Sequence, residues 1–207
     1  MKVFVPDLKK VIVSFCIASL FSLGALNSVA AENIYQIDVK GAHAFVQFRV
    51  KHLGYSWLYG HFDRFDGEFV YDPKNDSKNK VAVTVDVTSL DSNHAERDKH
   101  LRAKKYLNTD KYAEAKFVST KYETVSKDKA KLTGQLTLLG VTKEITLDVD
   151  VIGGGDDPWG GYRQGFEGKT TIRASDFGMK ANVGEVELIW SVEGILKKEG
   201  DCFITDC

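Results

Sequence analysis

Three things are scarce in this 207-residue sequence, and each scarcity removes a class of protein. Basic charge is not in excess: 28 Lys and Arg stand against 29 Asp and Glu. Without a basic stripe to follow a phosphate backbone, nucleic-acid binding has little support. Long apolar runs are also missing. The segment Val11 to Leu26 has sixteen residues broken by Ser14, Ser19, Ser22 and Gly24, short of the roughly 20 that span a bilayer. No later segment comes close, so no integral membrane segment is expected after it. Cysteine, finally, is confined to Cys16, Cys202 and Cys207. Nucleotide-binding loops are absent as well: Gly168-Lys169-Thr170 has Arg163 where a phosphate loop needs its first glycine, and Gly153 to Gly161 contains Pro158 and Trp159 and joins two strands.

The first thirty residues have the organisation of a secretory signal. Lys2, Lys9 and Lys10 precede the apolar run, and Ser28-Val29-Ala30 offers small residues for cleavage before Ala31. A lipoprotein signal does not fit, because Phe15 precedes Cys16 where a small residue is needed. Export to the periplasm, with residues 1–30 removed, is therefore expected. It would take the formal charge from −1 to −3 and leave one ordinary domain. In that oxidising compartment Cys202 and Cys207 could pair or could lie idle in a frayed tail.

Apolar and polar residues alternate through most of residues 44–196. Ala44, Val46, Phe48, Val50 and His52 share one face of a strand. Leu58, Gly60 and Phe62 continue the pattern, which slips at Asp63-Arg64 as at a β-bulge and resumes with Phe65, Gly67, Phe69 and Tyr71. Val81 to Val87, Phe117 to Val125, Lys131 to Leu139, Glu144 to Ile152, Gln164 to Ser175 and Glu185 to Leu196 alternate too. Only Asp91 to Tyr112 breaks the period; Ser92-Asn93 can cap a helix there, and Leu101, Tyr106 and Leu107 supply an apolar stripe.

These segments predict an all-β protein: an eight-stranded antiparallel meander, closed so that no sheet edge is exposed, with a short helical insertion. The inward face gathers Phe48, Phe62, Phe65, Phe69, Phe117, Leu136, Leu138 and Trp190 with Gly60, Gly67 and Gly134. Large rings beside missing side chains are compatible with a channel and equally with a solid core.

Several ordered stretches resemble the YceI-like family: Gly41-Ala42-His43, Phe48 to Gly54, Gly60 to Gly67, Ser89 to Leu101, Gly134 to Leu138 with Gly140 to Lys143, and Asp176 to Met179. The resemblance covers residues 31–196. It implies a lipocalin-like barrel that holds a polyisoprenoid, a quinone or polyprenol tail or another long-chain amphiphile, with no catalytic residue and no cofactor beyond that lipid. Leu139 departs from the family, many members of which carry histidine there, and the tail 197–207 runs past the usual end. Whether the protein is a homodimer stays open.

If a hydrocarbon is held, it is long. Association costs on the order of 4 to 15 kcal/mol and each buried methylene returns about 0.8, so micromolar affinity takes roughly 15 to 25 carbons. The lining named above, with His52 able to meet a polar head group, forms the expected ligand site. Two other readings compete. One is a metal-dependent enzyme built on His94, Asp98 and His100, although Arg97 and Asp98 can equally pin a helix that the histidines cap or solvate. The other is a ligand-free stress or interaction protein.

Overall fold

The computed structural model describes residues 1, 32–198 and 203–204. The expected leader beyond Met1, and Cys16, Cys202 and Cys207, lie outside the described residues. Within the unit Ala31–Cys207 the described strands form a single antiparallel sheet. Its strands are β1 (Ile34–Ile37), β2 (Phe45–His52), β3 (Ser56–Phe62), β4 (Phe65–Val70), β5 (Lys80–Asp86), β6 (Leu90–Asp91), β7 (Glu114–Ser126), β8 (Lys129–Leu138), β9 (Val141–Asp156), β10 (Tyr162–Arg173) and β11 (Glu185–Leu196). Among the described residues one α-helix, α1 (Ala95–Arg102), follows β6.

Eleven strands make eight staves. The order β1-β4-β5-β7-β8-β9-β10-β11 closes on itself because β1 pairs with both β4 and β11. The long β11 holds two strands on one edge, β2 along Val186 to Ser191 and β1 along Gly194 to Leu196, so β1 and β2 act as one broken stave. β3 and β4 form another. The predicted slip at Asp63-Arg64 is where that stave changes partners, from β2 and β6 to β1 and β5. Its backbone stays satisfied there: Asp63 N–H donates to Ser89 O, and Asp86 N–H to Arg64 O.

The eight predicted strands correspond to the staves, and two short pieces escape the pattern. β1 escapes it because both of its faces are covered, which erases alternation. Tyr35 and Ile37 enter the core, while Ile34, with Val70 and Ala82, is covered from outside by Phe203, which is 2% exposed. The tail is thus anchored at Phe203. β6 is too short to show a period. The glycine-rich link expected from Gly153 starts later, because β9 continues to Asp156; its register with β10 shifts opposite Gly165 and Phe166, and Gly153 adopts φ 153°.

A polar pin locks the seam. Arg163 of β10 donates to Asp38 at 2.7 Å, to Glu193 at 2.5 Å and to Asp157 at 2.9 Å, and His43 lies 2.8 Å from Asp38. Burial pushes the Asp38 carboxyl up, but hydrogen bonds from Arg163, His43 and Gly41 N–H outweigh it and hold the group at about 2, below its ordinary 3.8. A depressed carboxylate stabilises the fold above its unfolded value, and this contribution of about 2 kcal/mol is lost as pH falls through the folded one. Asp38→Asn should therefore flatten the fall in unfolding free energy between about pH 4 and pH 2 in urea titrations. An unchanged slope would assign the acid sensitivity elsewhere.

Candidate functional site

The staves enclose two adjoining apolar chambers. The larger offers about 130 Å³ to the centre of a water molecule, the smaller about 70 Å³. Val83 and Trp190 line both, so these two side chains form the partition, and Trp190 meets Phe117 edge-on at 5.2 Å.

Six of the nine predicted lining residues reach the larger chamber: Phe48, Phe62, Phe117, Leu136, Leu138 and Trp190. Phe69 lines the smaller one with Trp190. Phe65 packs against the core and lines neither. His52 corrects the expectation from sequence: alternation puts it inside, but it is exposed at the end of β2, opposite Ser56 in the hairpin, where the strand has passed the rim. Missing from the expected set are the smaller aliphatics of the same face, Val46, Val83, Val85 and Leu188, and the covering residues Leu101, Tyr106 and Leu107. The alternation carried the first group; the apolar stripe in the insertion carried the second.

Glycine thins the wall and keeps the chamber open. Gly60 lies directly beneath the Phe48 ring, and a Cβ at Gly134 would stand 2.6 Å from Phe117 Cζ. The rings thus lie along the wall instead of reaching across the lumen. The two alternatives left by the sequence meet here: aromatics do pack over glycines, and space remains.

The ends differ. Beyond the smaller chamber the aromatics close ranks, with Tyr35 stacked on Phe69 at 4.9 Å and Phe166 edge-on to Phe69 and Tyr71 at 5.3 and 5.0 Å. Burial pushes the Tyr35, Tyr71 and Tyr122 hydroxyls up, so all three are neutral at ordinary pH. Over the larger chamber lies the insertion. Its helix is capped by His94, not Ser92 or Asn93: His94 Nδ1 accepts from Arg97 N–H at 3.2 Å. Asp98 is buried and accepts from Ser92 N–H at 2.9 Å and from the Ser92 hydroxyl. Arg97 donates to Ser92 Oγ, and Arg102 to Leu90 O, both at 2.8 Å.

Those bonds occupy His94 and Asp98 of the metal reading, and His100 is exposed. Among the described residues, the groups whose ligand atoms converge are Asp38, His43 and Glu193, and His61, Asp63 and Asp91; His94, Asp98 and His100 are in neither. In the first group Arg163 already occupies both carboxylates.

Fold and interior define a class: a closed up-and-down β-barrel with a hollow, apolar lumen under a helical cover. The chain belongs to the YceI-like family, whose domain model matches residues 35–194. It is 53% identical over 193 residues to a UPF0312 protein of Pseudomonas aeruginosa strain LESB58, covering 91% of this chain and 98% of that one. It is also 53% identical over 196 residues to protein YceI of Escherichia coli O157:H7, covering 92% and 100%. A Campylobacter jejuni YceI protein has a similar structure (TM-score 0.65, 29% identity, 72% of this chain and 91% of that chain). A polyisoprenoid-binding domain from Saccharophagus degradans shares the fold at 16% identity (TM-score 0.59, 79% and 98%).

Two outcomes test this geometry. Gly60→Ala should press Phe48 into the lumen, costing about 1 to 3 kcal/mol by overpacking and reducing uptake of apolar dyes; unaltered uptake would contradict the wall argument. Asp98→Ala should lower stability by about 1 to 3 kcal/mol, because the Ser92 donors lose their partner, whereas the exposed His100→Ala should be neutral in thermal unfolding.

Proposed function

We propose that the protein is a periplasmic, non-enzymatic carrier or reservoir that buries a polyisoprenoid, quinone-like or other long-chain amphiphile in its barrel. The observation that carries the proposal is the lining of the larger chamber: apart from Tyr106 and Trp190, the side chains turned into it are hydrocarbon or thioether. Gln47 and Lys116 border it from strand positions whose alternation turns their side chains outward. Such a surface offers a polar ligand almost nothing and rewards each methylene it takes from water. The polyisoprenoid-binding domain that shares the fold supports the same ligand class. Mechanism is then sequestration, with chain length and slenderness selected by the staves and the head group left near the covered end. The signal-like residues 1–30 support export, which would put the barrel beside the membranes from which such lipids come.

The partition sets how much chain fits. With Trp190 in place, a tail fills the larger chamber and stops; turning Trp190 aside would add the smaller one.

Organic extraction of natively purified protein, followed by mass spectrometry, should release a prenyl or acyl compound in near-stoichiometric amount; an empty lumen after gentle purification and no uptake of added prenols would defeat the proposal. Leu138→Trp, which fills the larger chamber, should weaken prenol binding about tenfold or more, equivalent to about 1.4 kcal/mol. Trp190→Leu should shift the preferred prenol toward longer chains.

A further inference from the structure

We propose that the covered end of the barrel docks on an anionic phospholipid bilayer, with the tip of the β2–β3 hairpin seated in the headgroup layer. In an up-and-down barrel all alternate connections emerge at the same end, so the β2–β3 tip, residues 87–113, the β8–β9 turn and residues 174–184 share one rim. The larger chamber opens toward that rim, where Met179 and Val183 join its lining. The other end is filled by the Tyr35, Phe69 and Phe166 cluster.

The hairpin tip has the wrong chemistry for a solvated turn. Leu53 is 77% exposed and Tyr55 86% exposed, while Trp57 and Tyr59 continue on the outer face of β3. Single exposed apolar residues are ordinary, but four within seven positions on one projecting hairpin make a patch. Cations frame it: the Arg49 guanidinium lies 4.4 Å over the Trp57 ring and Lys51 Nζ 5.5 Å from it. Exposed Trp and Tyr beside Lys and Arg are the composition of a membrane-interface anchor.

Charge selects the partner. Residues 87–113, on the same rim, carry six bases against Asp91, Glu96, Asp98 and Asp110, in a chain whose formal charge is −1. Lys104, Lys105 and Lys180 are exposed, and Lys105 O accepts from Ala181 N–H at 2.9 Å, which brings the two loops together. Of the rim acids after Arg173, Glu185 and Glu187 pair with Arg173 and Arg49, leaving Asp176. The opposite end also exposes apolar residues, Ile152 and Trp159, but its charges are mixed: Asp148, Asp150 and Asp157 pair with Lys131, Lys129 and Arg163, which engages those bases. An anionic surface is attracted to the end where exposed bases and exposed aromatics coincide. Docking there would put the chamber mouth against the acyl region, so that a tail could pass without crossing bulk water.

This proposal gives the lumen reading its route but is measured without any lumen ligand. The protein is purified as the expression host processes it, with its N-terminus fixed by mass spectrometry. It is then sedimented with phosphatidylethanolamine vesicles containing phosphatidylglycerol, or with phosphatidylcholine vesicles. Binding is expected only to the former and should weaken as salt is raised. Leu53→Ser with Tyr55→Ser, and separately Lys104→Glu with Lys105→Glu, should each reduce it about tenfold or more, with thermal unfolding and prenol affinity unchanged. Absence of vesicle binding, or binding indifferent to both variant pairs, would overturn the proposal. So would a dimer in sedimentation velocity that the Leu53→Ser, Tyr55→Ser change dissolves, since the patch would then belong to a second copy. Vesicle binding by a protein that takes up no prenol would leave docking standing and remove the carrier reading.

Discussion

Closure of the sheet governs everything else in this molecule. Closure removes the free edges of the main circuit, and four residues, Ile34 to Ile37, complete it by bridging β4 and β11; among the described strands only the two-residue β6 keeps a single neighbour. Eight staves fix a radius just wide enough for side chains or one slender ligand. What occupies the interior is then decided by the inward residues. Glycine beneath Phe48 and Phe117 lets the rings lie along the wall, and the volume they vacate becomes the larger chamber.

The two ends of the tube do different jobs because their residues differ. At one, stacked aromatics and the Arg163 ion-pair pin close the tube and fix the seam. At the other, the wall above β6 is replaced by a helix and loop held through Ser92, Asp98 and Arg102. Leu101, Tyr106 and Leu107 are the apolar side chains by which that cover meets the chamber.

Much of this was legible in the residues. Period-two alternation located all eight staves, the slip at Asp63-Arg64 located the change of partners, and the break at Asp91 to Tyr112 located the cover. Alternation fails where its physical basis fails. Ile34 to Ile37 is hidden because Phe203, more than 160 residues away in sequence, covers its outer face. His52 keeps the inward parity but lies beyond the rim, since parity gives a side and not a depth. The helix cap fell to His94 instead of Ser92 because the Ser92 hydroxyl is committed to Asp98. The partition at Val83 and Trp190 needs three dimensions: it is a property of two staves facing each other across a lumen.

A hydrocarbon chain lying inside the tube is the central requirement. Isotope-edited NMR of the intact protein with a carbon-13-labelled prenol observes this directly, through cross-relaxation between the chain and its neighbours. Contacts from chain methyls to Phe48, Phe117, Leu136 and Trp190 are predicted. Contacts confined to outward-facing residues such as Trp57 and Tyr59, with the inner rings silent, would contradict it.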